Sequence, residues 1–276
     1  MTEETTENPG LSAATSAEAA FASIVADCCA EIDRQLAAVL ISDHESGPHK
    51  ARVALRRLTT AIDAFAPILR RKAAAALRAE AKWIFRLLGR LRDADVFLAA
   101  QDAPPRKLLR ETEKLRDEVR AELRGRKAVT FAPLMSRAIG PEGGLLREKP
   151  RGLAARAAPV GRLAGGALDQ AWATALSHGA DPAELAEEEL HSFRKDMKTL
   201  RYQAEFFAPI WPDAPWPPFR ATLQDLQDEL GLINDLANAR ARGHQPDPRR
   251  EAKAREKAMA HWADLRAAGP FWSMPA

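Results

Sequence analysis

A single shift of 142 residues lays the second half of this chain over the first. It takes His49 to His191, Arg52 to Arg194, Arg56 to Lys198 and Leu58 to Leu200. The same shift takes Phe65-Ala66-Pro67-Ile68 to Phe207-Ala208-Pro209-Ile210 and, still without a gap, Leu88-Gly89 to Leu230-Gly231 and Asp93 to Asp235. One short motif can align by chance, but a constant offset over more than 40 residues points to an internal duplication. With 276 residues, each copy has enough chain for a core of its own.

Composition says what the copies are made of. The chain is rich in alanine, leucine, arginine and glutamate and carries a single tyrosine, a balance that favours helix over sheet. Apolar residues return at helical spacing over 17–41, 48–69, 72–100 and 104–127, and again over 163–177, 182–210, 217–242 and 248–267. Prolines 48, 105, 182, 217 and 248 stand near the starts of these segments, where a missing N–H costs least. The expectation is an all-α fold of two four-helix bundles, spanning 18–127 and 163–268. Residues 128–162, with scattered glycines, prolines and arginines, read as the connection between them, 1–17 as a disordered polar tail, and 269–276 as a C-terminal tail.

Net charge excludes little: 41 basic against 38 acidic residues leave +3, so a case for an anionic partner must rest on where the charges sit. No apolar run reaches membrane-spanning length, and the N-terminus lacks the pattern of a secretory signal. Cys28 and Cys29 form neither a disulfide framework nor a metal set. Together these suggest a reduced, cytoplasmic protein.

The duplicated helix is cationic on one face. At about 100° per residue, with His49 at zero, Arg52 falls near −60°, Arg56 near −20° and Arg57 near +80°. Leu55, Leu58, Ile62 and Phe65 lie opposite. In the second copy His191, Arg194, Lys195, Lys198, Arg201 and Tyr202 share a face, with Phe193, Met197, Leu200 and Phe207 opposite and Asp196 off the basic side. Helices with exposed charge usually mix signs, as 106–127 does, because i,i+4 pairs of opposite charge support the helix and like pairs weaken it. Two helices that keep the unfavourable arrangement imply a ligand that offsets it.

The helix after it carries Leu88-Gly89-Arg90-Leu91-Arg92-Asp93. Glycine inside a helix costs about 1 kcal/mol relative to alanine, so Gly89 implies close approach of another element. Lys82, Arg86, Gly89 and Asp93 share one face, and Asp93 and Asp235 are placed to orient arginines through charge-assisted hydrogen bonds. The competing reading, paired carboxylates holding a metal, lacks further oxygen ligands nearby.

With HKARVALRR and LGRLRDAD in the first half, and HSFRKDMKTLRY and LQDELGLIND in the second, the chain resembles the CHAD (conserved histidine α-helical domain) family over about 18–268. That resemblance implies two pseudo-twofold-related four-helix bundles that bind inorganic polyphosphate in a basic channel or groove between them. It implies a site of His49, Arg52, Arg56 and Arg57 in one half and His191, Arg194, Lys195, Lys198, Arg201 and Tyr202 in the other, with Lys82, Arg86 and Arg92 added. The halves differ: Asn234 stands where the first copy has Arg92, Gln224 where it has Lys82, and Thr199 where it has Arg57.

The expectation is therefore a non-catalytic, cofactor-free binder of polyphosphate or a similar polyanion, targeted to polyphosphate granules. Affinity should fall with salt and as pH rises above neutral, because charged groups and protonated histidines hold the oxyanions. A nucleic-acid binder using the same faces is the main alternative, weakened by the scarcity of aromatics there. A metal-dependent phosphate-transfer enzyme is a further one, without a P-loop or ligand cluster in support. His44, His178, His244 and His261 read as surface or loop residues, and Trp211, Trp216, Trp262, Phe271 and Trp272 as packing residues.

Overall fold

The structure, a computed structural model, describes residues 10–99, 101, 103–140, 143–241, 243 and 245–273. His244 and the outermost residues of both expected tails lie outside that set. Among the described residues the fold is all-α, with no strand and a lone antiparallel bridge between Leu69 and Leu146. The chain divides into two compact units, Ser16–Ala158 and a second made of Pro159–Ala276 with the N-terminal residues through Thr15.

In the first unit, α1 (Ala17–Ile41) starts where the Ser16 hydroxyl accepts the Ala19 N–H at 3.2 Å, an N-cap that satisfies one of the first turn's orphan donors. Next come α2 (Ser46–Ala64), a 3-10 turn at Ala66–Ile68, α3 (Arg71–Ala99) and α4 (Arg106–Arg124). α1 packs on α2 and α4, and α3 on α2 and α4. Phe21, Ile24 and Ile32 of α1, Leu55, Leu58 and Ile62 of α2, and Ile84, Leu88 and Leu91 of α3 are buried, the positions that helical spacing assigns to the inner face. Each such side chain contributes about 1.5–3 kcal/mol of burial.

The expected connection at 128–162 is largely helical instead. It forms α5 (Arg126–Val129), α6 (Phe131–Ile139) and α7 (Pro150–Ala157), and α6 and α7 both pack on α1. Phe131, Met135, Leu145 and Leu146 are buried, so this stretch closes the first core. Its pieces are too short to show a period, which is why sequence reading takes them for a linker. The chain between α6 and α7 runs beside the end of the 3-10 turn: Arg70 N–H donates to Leu145 O at 2.7 Å and Arg147 N–H to Ile68 O at 2.9 Å.

Cys28 and Cys29 are buried and unbridged, and burial pushes both thiols up to about 12. They are expected to resist alkylation at neutral pH in the native protein and to react once it unfolds; mass spectrometry of pulse-labelled samples across a urea gradient measures this.

The second unit holds α8 (Val160–Leu176), a 3-10 turn at Pro182–Glu184, α9 (Glu187–Phe207), another at Ala208–Ile210, α10 (Trp216–Ala241), α11 (Pro248–Ala268) and a last 3-10 turn at Phe271–Ser273. α9 packs on α8 and α10, and α11 on α10. The start of α9 falls later than the proline at 182 suggests, because Glu189 reaches back to accept the Ala186 N–H at 3.0 Å. α11 opens on Asp247, which accepts the Arg249 N–H at 2.9 Å, and ends at Gly269, whose φ of 70° is a positive value that glycine adopts without strain.

Residues 10–15 are not a free tail: Leu11 is buried, and Val160 N–H donates to Thr15 O at 2.8 Å. At the other end Phe271 and Trp272 are buried too. Trp262 lies against Trp172 and Phe193 at ring separations of 5.5 and 5.3 Å, and its indole donates to Gly179 O at 3.0 Å. His178, expected on the surface, is half-buried, with Nε2 at 2.7 Å from Asp196 Oδ2. No helix among the described residues is long and apolar enough to cross a membrane.

Candidate anion-binding faces

In the first unit the basic side of α2 meets α3 at Phe85. The Arg52 guanidinium lies 3.9 Å from the Phe85 ring centroid, and its Nη1 donates to the Phe85 carbonyl at 3.0 Å. Arg56 approaches the same ring, at 5.3 Å. Both separations are within cation–π range. Gly89, one turn along α3, explains itself here: a Cβ at that position would collide with Arg52 Nη1. The close approach implied by the mid-helix glycine is made by an arginine side chain.

This seat matters electrostatically. Burial above all, and the charges of Arg56 and Arg92 besides, pull the Arg52 guanidinium below the ordinary arginine range, while Asp93 pushes the other way. The arginine is thus fixed by a carbonyl, a ring and a glycine notch, with neighbouring like charges that an anion would relieve. α4 makes the contrast. Arg116 bonds Asp95 at 2.6 Å and Arg120 bonds Asp43 at 2.8 Å, so their charges are already matched by carboxylates.

Other expected residues of this half are less concentrated. Lys82 and Arg86 are exposed on α3, and His49 is half-buried on α2. Arg92 reaches Glu45 at 3.4 Å, and the charge of Arg57 acts on the Cys28 thiol of α1. Asp93 lies within electrostatic reach of Arg52, but the anchoring hydrogen bond goes to the Phe85 carbonyl rather than to that carboxylate. Phe85 was missed by sequence reasoning; its signal is an aromatic one turn before Gly89 on a face otherwise cationic.

In the second unit, His191 and Lys195 are exposed on α9, and Arg194 and Lys198 are half-buried. His191 Nδ1 lies 3.1 Å from Asn234 Oδ1 of α10, a contact in which the ring N–H donates and Nε2 is left pointing elsewhere. Asp235 is exposed. Arg201 and Tyr202 depart from expectation: they are only 6% and 1% exposed, and Arg201 Nη1 bonds Glu205 Oε1 at 3.1 Å. From Leu200 to Ala208 every residue is buried, so the last turns of α9 have no solvent face for a helical wheel to find.

The halves are unequal at the seat as well. Gln227 stands 142 residues after Phe85, and its amide donates to Met197 O at 2.8 Å in the buried interior. A Cβ at Gly231 would meet nothing within 4 Å. Among the described residues, no group of three or more His, Cys, Asp and Glu side chains is placed to hold a metal ion.

A family model described as the CHAD domain matches residues 23–244. Among solved structures, the CHAD domain from the plant Ricinus communis matches at a TM-score of 0.65 and 20% identity, covering 95% of this chain and 90% of that one. PptA from Streptomyces chartreusis matches at a TM-score of 0.50 and 17% identity, covering 92% of this chain and 99% of that one. At such identities the two structures speak for the fold. No curated protein sequence matches the chain.

Proposed function

Because the chain belongs to the CHAD domain family, whose model spans residues 23–244, we propose that it is a non-catalytic binder of inorganic polyphosphate, able to attach to polyphosphate granules. The contacts are made by the basic faces of α2 and α9, with α3 adding to the first: His49, Arg52 and Arg56 of α2 with Lys82 and Arg86 of α3 in one unit, and His191, Arg194, Lys195 and Lys198 of α9 in the other. The observation that carries this reading is the seating of Arg52. A guanidinium held by a main-chain carbonyl keeps its whole charge, and its remaining N–H groups have the fork geometry that matches phosphate oxygens. Preorganisation of this kind lowers the entropy lost when a ligand is bound.

Calorimetric titration with long-chain polyphosphate tests it. Binding that saturates, weakens with salt, and resists competition by single-stranded RNA supports the reading. Absence of binding refutes it, and preferential RNA binding moves the faces to the nucleic-acid alternative. Shortening of the polyphosphate chain on incubation with magnesium or manganese would overturn the non-catalytic part.

The two helix glycines give a sharper test of the seat. Gly89→Ala should leave thermal stability unchanged or slightly raised, since only the end of a flexible side chain must move, yet weaken polyphosphate binding several-fold by unseating Arg52. Gly231→Ala should raise stability by up to about 1 kcal/mol and leave binding intact. Equal effects of the two substitutions on binding would remove the seat from the account.

A further inference from the structure

A groove of about 910 Å³ opens on the first unit between α2 and α3, beginning where Phe85, Arg56 and Lys82 stand. It continues past Arg78 to Arg71 and Arg147, with Leu55, Ile62, Leu69 and Ala81 beneath. From Phe85 back to Arg71 is 14 residues of α3, about 20 Å at ~1.5 Å per residue. Five cations line it against one carboxylate, Asp63, which is paired with Arg78. On α3, Arg71, Arg78 and Lys82 fall within about 40° of one another, so they form a single stripe, and the alanines at 75 and 79 leave the trough beside it open.

The far end repeats the device seen at Arg52. Arg147 Nε donates to Leu69 O at 2.8 Å and Nη2 to Ala66 O at 3.4 Å. Both arginines are thus positioned by main-chain carbonyls and not by carboxylates: Arg147 lines one end of the groove, and Arg52 sits against Phe85, which lines the other. The helix ion pairs of α4 neutralise their cations; these anchors do not.

We propose that this groove is a second anion subsite that extends the one at Arg52, so that one polyphosphate chain runs from Arg52 and Arg56 over Lys82 to Arg71 and Arg147. The subsite makes the protein discriminate by chain length: a short oligophosphate fills the Arg52 end, and only a longer one gains the contacts at Arg71 and Arg147. The inference rests on the polyphosphate reading above.

The test compares inorganic tripolyphosphate with long-chain polyphosphate on the full chain by calorimetry. Arg71→Gln with Arg147→Gln should weaken long-chain binding about tenfold or more, from two lost charge-assisted contacts, and leave tripolyphosphate within about twofold. Because Arg147 also ties down its own segment, Ala75→Glu with Ala79→Glu serves as a second variant. Both positions are exposed on a helix that tolerates glutamate, and two acids in the trough should produce the same selective loss. Equal weakening of both ligands, or none of either, in a variant that melts like wild type overturns the subsite while wild-type binding still supports the general reading. Failure of the wild type to bind either phosphate overturns both.

Discussion

Changing Arg52, Arg56, Arg194 and Lys198 together to alanine is expected to weaken polyphosphate binding by about a hundredfold or more while the protein stays folded. A hydrogen bond to a charged group contributes about 1.5–3 kcal/mol, and each 1.4 kcal/mol is a factor of ten, so losing a fraction of four such contacts suffices. The cost to the fold is smaller. Arg52 and Arg56 each give up a ring contact with Phe85 worth about 0.5–1 kcal/mol, Arg52 also gives up its hydrogen bond to the Phe85 carbonyl, and removing like charges from the two faces returns part of the sum. Circular dichroism should show native helix content, and the titration should show a shallower dependence on salt, since fewer counterions are displaced. Splitting the variant adds information. Arg52→Ala with Arg56→Ala should cost more affinity than Arg194→Ala with Lys198→Ala, because the first pair sits on the Phe85 ring and Gln227 occupies that position in the second unit. Equal losses would mean that total charge, and not the seated guanidinium, governs binding. Full binding by the folded quadruple variant would place the anion site elsewhere.

Trp262→Ala is expected to destabilise the second unit by about 3–5 kcal/mol, the range for removing a large aromatic from a packed interior. The side chain is 0% exposed, touches Trp172 and Phe193, and spends its one donor on the Gly179 carbonyl. Alanine would therefore leave a cavity and an unanswered carbonyl at once. Trp262→Phe keeps most of the ring contacts and loses only the hydrogen bond, so its cost should be nearer 1–2 kcal/mol. Urea unfolding followed by tryptophan fluorescence reads this unit well, since Trp83 is the only one of the six tryptophans outside it. If the phenylalanine variant costs as much as alanine, the hydrogen bond and not the packing holds this cluster together.

Much of the architecture was legible because helices announce themselves locally. A residue at i repeats its environment at i+3, i+4 and i+7, so the buried faces of α1, α2 and α3 and the cationic faces of α2 and α9 could be read from spacing alone. The single sign of charge on those faces, against the mixed charges of α4, also pointed to the candidate residues. The same locality set the limits. Short helices such as α5 and α7 complete too few turns to show a period, and so 128–162 passed for a linker although Phe131, Met135, Leu145 and Leu146 close a core.

By itself, then, the sequence determined which of the long segments are helical, which side of α1, α2 and α3 turns inward, and that two helices 142 residues apart carry a row of cations. Tertiary structure decided what those cations do. It buried Arg201 and Tyr202, which the helical wheel had placed on the open face, seated Arg52 on Phe85 in the notch at Gly89, and brought Arg147 alongside α3 from a segment without any pattern. The physical reason is that periodicity reports one helix's preference for water or core, whereas a side chain's burial, anchor and remaining charge depend on which neighbours cover it.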